Sequence, residues 1–200
     1  KRLPEAAFRQ FDLSAELSPL GSFDVVFSNA VLQWLPDPLD GLRRLFGLVQ
    51  PGGCLAVQIP DCHPRPDMAA GRLETGDAHA AIWTAAAHPD FAPYLSGVVP
   101  LSAVDGAQIY RLFAEYGVES NIWETLYCHV LDGYDGLIEW YRGTAMRPYL
   151  TALPDEESRR RFCRAVVAAL ETRFPLEPDG HLLLWFRRLF VVAVRPDGDY

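Results

Sequence analysis

The sequence predicts an α/β fold, and three observations carry that reading. Residues 23–29, Phe-Asp-Val-Val-Phe-Ser-Asn, and residues 54–59, Cys-Leu-Ala-Val-Gln-Ile, read as buried strands rich in β-branched and aromatic side chains. Between them runs an amphipathic helical stripe of Leu39, Leu42, Leu45, Phe46 and Val49. The second half adds two long strand patterns, 118–131 and 182–194, with helical patterns between them.

Each element has a local reason. Residues 7–12 read as a short strand ending at Asp12. Strand 23–29 ends at Ser28-Asn29. The helix after it has Asp37 as N-cap and Pro38 at its first position, and Pro51-Gly52-Gly53 should stop it. Strand 54–59 closes at Pro60-Asp61. Strand, helix and strand in this order make a βαβ unit with parallel strands and a right-handed crossover. Residues 63–76, with Pro64, Pro66, Gly71 and Gly76, read as loop. Helices are expected at 78–87 and at 108–116, where Gly117 stops the second. Another begins at 137. A last helix is introduced by Asp155, Glu156 and Glu157, whose charge suits a helix start, and it carries Phe162, Val166 and Leu170 on one stripe.

Composition narrows the function. The 200 residues are 50% hydrophobic and 22% charged, as in a globular chain. The formal net charge is −8, and no Lys/Arg run longer than Arg159-Arg160-Arg161 is present. Bulk charge therefore does not attract nucleic acid or an anionic membrane; only a local basic pocket would hold an anion. The longest apolar stretch, 182–194, is interrupted by Arg187-Arg188 and falls short of the roughly 20 residues that span a bilayer. Cys54, Cys62, Cys128 and Cys163 lack disulfide-scaffold spacing, which suits idle thiols in a reducing cytoplasm. The chain starts Lys1-Arg2-Leu3-Pro4, without an initiator Met, and so is expected to be less than the natural polypeptide.

Motifs for phosphate cradles, zinc proteases and serine hydrolases are absent from the sequence. Pro51-Gly52-Gly53 precedes a strand, whereas a phosphate cradle follows one. Asp61-Cys62-His63 offers adjacent metal-ligand types without a distant partner, so no metal is expected. What remains is positional. Ligands of open parallel sheets bind beyond the carboxyl ends of the strands. Asp12, Ser28-Asn29 and Asp61 all stand at such ends. Each alone serves as well to cap a turn; on one sheet edge, the three together mark a ligand site.

Residues 23–37 and 51–61 resemble the fourth through the fifth strand of class I S-adenosyl-L-methionine-dependent methyltransferases. Three further blocks resemble the branch of that family that methylates trans-aconitate. They are residues 121–129 (Asn-Ile-Trp-Glu-Thr-Leu-Tyr-Cys-His), Trp140 with Gly143-Thr144-Ala145-Met146-Arg147-Pro148, and Phe186-Arg187-Arg188-Leu189-Phe190. The likeness spans nearly the whole chain and thins between 63 and 104. The Asn-Ala-x-x-Gln-Trp element also resembles carrier-protein methyltransferases of biotin synthesis.

The resemblance implies a Rossmann-like methyltransferase sheet of family order 3-2-1-4-5-7-6 that lacks its first two strands, the glycine-rich loop and the ribose-binding acid. Residues 7–12 would be strand three, without a neighbour, and strand 23–28 would keep an open edge that invites self-association. Helices are added after the fifth strand and in the C-terminal half. Residues 1–61 would belong to the cofactor-binding core. Residues 62–180 would form the substrate cover together with the strand near 118–131, and residues 181–200 the closing strand and tail.

The implied cofactor is S-adenosyl-L-methionine. Asp12 would accept from the adenine amino group, the Leu13 backbone would contact the ring, and Asn29 and Ala30 would lie beside the methionine part. Gln33 and Trp34 would face the methyl-transfer site. A small anionic substrate needs cations: Arg147 and Arg188 are the candidates, with Tyr127 and His129 adding hydrogen bonds. Arg187 reads as the surface arginine of its pair. Glu124 and Cys128 stand where the resembled block carries a base and a second aromatic. The implied product is a methyl ester formed by direct displacement, with no catalytic acid or base. A carrier-bound acid or natural product as acceptor, and a non-catalytic remnant, are the alternatives.

Overall fold

The computed structural model describes residues 6–63 and 72–198. Its sheet is built around β5 (Leu182–Val194), the last strand of the chain. The strands before it are β1 (Phe23–Asn29), β2 (Val49–Pro60), the two-residue β3 (Leu73–Glu74) and β4 (Glu119–Leu131). β1 and β2 are parallel and joined by helix α1 (Pro38–Gly47), as the βαβ reading requires. One edge of β5 pairs antiparallel with β2 and, further along, parallel with β3. β4 pairs antiparallel with β5 over its full length, Leu131 opposite Leu182 through Glu119 opposite Val194. The resulting order β1-β2-β5-β4 is the expected 4-5-7-6 half of the family sheet. Among the described residues β1 has no partner on its outer edge, where Phe23, Val25 and Phe27 stay exposed.

Six more helices follow α1: α2 (Thr75–Ala86), α3 (Ala92–Leu95), α4 (Gly106–Glu115), α5 (Gly133–Arg142), α6 (Arg147–Ala152) and α7 (Glu156–Glu171). Caps set their starts. The Asp37 carboxylate accepts from the Leu39 and Asp40 amides, Asp105 from Gln108, and Asp155 from Ser158. No described helix is long and apolar enough to cross a membrane.

Three expectations are corrected. Residues 7–12 are exposed and irregular, because no described strand lies beside them and a lone strand leaves its backbone hydrogen bonds unmade. Helix α1 ends at Gly47, capped at Leu48, and not at Pro51-Gly52-Gly53. Those three residues lie inside β2, where its register with β1 shifts. Gly52, at φ +76°, supplies the irregular backbone, and its amide bonds the Arg195 carbonyl at 3.0 Å. The predicted loop 63–76 lies partly outside the described residues; its end forms β3 and the start of α2.

Two cores cover opposite faces of the sheet at opposite ends of β5. Leu182, Leu184 and Phe186 face a core built with α2, α5, α6 and α7. Leu189, Val191 and Ala193 have the other parity, so they point the other way, into a core with α1 and α4. Phe162, fully buried on α7, anchors the first core, edge-on to Phe91 and stacked on Tyr149 at centroid distances of 5.4 and 5.9 Å.

His79 of α2 is buried in the same region, its ring edge-on to Trp83 and Tyr141. Burial without a charge partner pushes its pKa down to about 4. The folded chain keeps His79 neutral where the unfolded chain would protonate it. Stability is therefore lost as pH falls from about 6.5 toward 4, by an amount on the order of 3 kcal/mol. Urea unfolding at stepped pH should show this slope in the wild type and a shallower one in His79→Phe. Phe162→Ala should cost about 3–5 kcal/mol in the same assay.

Candidate functional site

The switch in covered face leaves one stretch of sheet open. Val25, Phe27 and Asn29 of β1, Ala56 and Gln58 of β2, Arg188, Phe190 and Val192 of β5, and Trp123, Tyr127 and His129 of β4 share a face by register. A cavity of about 540 Å³ lies against most of this surface. Its floor is aromatic: Trp123 stacks on Phe190 at 5.3 Å and 8° between planes. A second cavity of about 190 Å³ opens beside it under the cover helices, lined by Ala30, Gln33, Trp34, Cys62, His79, Tyr141 and Thr144 among others. Arg188 lines both cavities. The cavities reach the carboxyl ends of β1 and β2 at Asn29, Ala30 and Pro60 and extend back over the sheet to Ala56 and Val192; of Asp12, Ser28-Asn29 and Asp61, Asn29 alone lines either one.

The two adjacent arginines of β5 have opposite surroundings. Arg187 is not a surface residue: its side chain is mostly buried on the face opposite the large cavity, bonded to Glu124 at 2.9 Å and Glu74 at 3.4 Å. Arg188 has no carboxylate partner among the described residues. Its guanidinium donates to the Gln58 carbonyl oxygen at 2.7 Å and lies over the rings of Phe186 at 4.9 Å and Tyr127 at 6.0 Å. A positive charge fixed by an amide and two rings stays available to an anion. Burial, and the nearby Arg188 charge, hold the His129 pKa below its ordinary value, so His129 is a neutral neighbour. Its ring packs on Trp140 at 4.6 Å.

Ala30 follows β1 at φ +54°, the one non-glycine residue of positive φ among the described residues. Such a backbone costs roughly 1–2 kcal/mol and is retained where neighbouring bonds over-determine it. Here the Ala30 amide bonds the Gln58 carbonyl at 2.9 Å and its own carbonyl accepts from Gln33 Nε2 at 2.8 Å. The bend turns the chain from β1 into the single helical turn Leu32–Trp34, which carries Gln33 and Trp34 to the small cavity.

Of the ten predicted site residues, seven therefore gather at the two cavities: Asn29, Ala30, Gln33, Trp34, Tyr127, His129 and Arg188. Three do not. Asp12 is exposed and accepts from the Ser14 amide at 2.8 Å, and Leu13 packs on the α1 side. Arg147 is exposed at the start of α6 and lines neither cavity. Glu124 and Cys128 share the parity of Leu189 and Trp185, the face away from the large cavity, and line neither cavity.

Sequence reading missed Gln58, Cys62, His79 and Tyr141. Gln58 carried a usable signal, a single amide in an apolar strand; the other three are set by the packing of cover helices. Burial pushes the Cys62 thiol up to about 12, so it stays protonated. The Tyr141 hydroxyl and Gln33 Oε1 are buried without a partner. A larger groove between α5 and α7 holds none of the predicted residues, and its arginines pair with Glu139, Glu156 and Glu157.

Residues 2–120 match the model of a methyltransferase domain. The trans-aconitate 2-methyltransferase of Methylobacterium nodulans is 40% identical over 202 aligned positions, covering 98% of this chain and 71% of that protein. That of Methylobacterium radiotolerans is 39% identical, covering 96% and 70%. The structure of loganic acid methyltransferase with SAH superposes with a TM-score of 0.54 at 12% identity, over 88% of this chain and 62% of that one, a likeness of fold. The chain belongs to the methyltransferase domain family and, within it, groups with the trans-aconitate 2-methyltransferases.

Proposed function

We propose that this protein methylates a carboxylate of trans-aconitate or a closely similar small polycarboxylate, with S-adenosyl-L-methionine as methyl donor. The observation that carries the reading is Arg188: a guanidinium without a carboxylate partner among the described residues, placed where two cavities meet. The curated relatives bear the matching name over most of the chain. Glu124 and Cys128, the two departures from the resembled block, lie on the face away from the large cavity, so they leave the acceptor side unaltered.

The open cavity at the end of β1 fits the cofactor in character. It combines an aromatic floor with the Asn29 amide, and Ala30 holds the strained bend beside it. In this reading Asn29 and Ala30 hold the methionine part, and Asp12 with Leu13 the adenine. When bound, the cofactor supplies an electrophilic methyl on a sulfonium. Residues 1–61 then belong to the cofactor-binding half, 62–180 to the cover with its sheet strand, and 181–200 to the closing strand and tail. The four free cysteines suit a reducing compartment such as the cytoplasm.

Arg188 binds one acceptor carboxylate and turns the molecule so that another presents its oxygen to the methyl. Trp34, Trp140 and Phe186 wall the small cavity and exclude water. Carboxylates have reference pKa values near 4, so the nucleophile is already ionised at neutral pH and no general base is needed. With the cofactor held there, its methyl would pass from sulfur to the carboxylate oxygen, leaving the thioether, and the residues of the chain would move no proton. The chain's contribution is proximity, alignment and desolvation of the reacting oxygen.

Incubation with labelled cofactor and a panel of carboxylic acids tests the reading: trans-aconitate should be labelled as an ester that mild base hydrolyses, and absence of labelling would sink it. Arg188→Ala should raise KM for trans-aconitate roughly 10- to 100-fold, the worth of a charged hydrogen-bond pair. The rise in KM should exceed any loss of affinity for S-adenosylhomocysteine, read by calorimetry.

A further inference from the structure

We propose that Gln58 is a positioning residue that holds Arg188 in place without neutralising it; the inference rests on Arg188 as the anion seat of the proposed function. Gln58 is 4% exposed on β2, and its side-chain carbonyl accepts from Arg188 Nη1 at 2.7 Å. A guanidinium carries donors alone, so the oxygen end of the amide must face it. The amide nitrogen at the other end is buried and has no partner. An apolar side chain would fill this strand position without leaving that donor unmet. What the glutamine adds is therefore the contact to Arg188.

The neighbouring arginine shows what a different acceptor does. Arg187 is held by the carboxylates of Glu74 and Glu124, which fix its position and cancel its charge. An amide carbonyl is a strong acceptor with no net charge. It fixes one edge of the Arg188 guanidinium while the rings of Phe186 and Tyr127 flank it. The remaining donors, and the full positive charge, face the cavities. Gln58 also reaches the bend after β1, since its backbone carbonyl holds the Ala30 amide. One residue thus ties the anion seat to the turn that delivers Gln33 and Trp34.

Two substitutions in the full chain separate the components. Gln58→Glu keeps an acceptor at the same reach but adds the cancelling charge; KM for trans-aconitate should rise about tenfold or more. Gln58→Leu removes the acceptor and should raise KM roughly three- to tenfold. In both, kcat should stay within about threefold while KM rises, the split expected when the loss is one of substrate binding. Adding Gln58→Leu to Arg188→Ala should raise KM no further, since Gln58 acts through Arg188.

A KM for Gln58→Glu within twofold of the wild type overturns the proposal, as does a double variant whose effects add. Should the wild type fail to methylate trans-aconitate, the proposed function falls, and calorimetric binding of tricarballylate, succinate and acetate decides the Gln58 role. Loss in Gln58→Glu of an acid that the wild type binds sustains it. Equal binding by both proteins, or no acid bound by the wild type, overturns it.

Discussion

Strand β5 is the constraint on which the architecture turns. It pairs with β4 over its full length and with β2 and β3 along much of its other edge, so most of its backbone donors and acceptors are committed. Side chains of a strand alternate strictly between faces. The buried set passes from Leu182, Leu184 and Phe186 to Leu189, Val191 and Ala193, and so changes parity at Arg187-Arg188. No bulge accompanies the change, because the register with β4 is unbroken. The helices must then cover opposite faces at the two ends, and one face lies open beside the arginines.

The proposed site lies at that crossover. The two arginines occupy the positions where neither core needs an apolar side chain, one on each face. Arg187 meets Glu74 from the strand before α2 and Glu124 from β4, an arrangement that ties the cover region to the sheet. Arg188 meets an amide and two rings. The same residue type serves as a strut on one side and, in the proposed function, as an anion seat on the other. The acceptor across from each guanidinium makes the difference.

Much of the fold was legible because its strands are short-range statements. Residues 23–29, 118–131 and 182–194 carry their own β-branched and aromatic signal, and Asp37 and Asp155 mark helix starts through bonds to amides two or three residues on. Residues 7–12 carried a similar pattern and formed no strand, since a strand needs a neighbour and sequence pattern does not supply one. Pro51-Gly52-Gly53 read as a helix stop because Pro and Gly break helices. They also occur where a strand kinks, and Gly52 at φ +76° takes that second role.

The sequence by itself determined the parallel βαβ unit, the helix caps, the long closing strand and the family blocks that single out Asn29, Gln33, Trp34 and Arg188. The first three depend on local propensity, periodicity and residue spacing, and the blocks on resemblance to a family. Tertiary structure alone decided that Arg188 faces the cavities while Arg187 is neutralised, that Arg147 stays on the surface, and that Gln58, His79 and Tyr141 border the site. Each of those outcomes depends on which groups distant in the chain, such as Glu74, Glu124 and Gln58, arrive opposite a given side chain, and the order of residues along a chain does not encode that meeting locally.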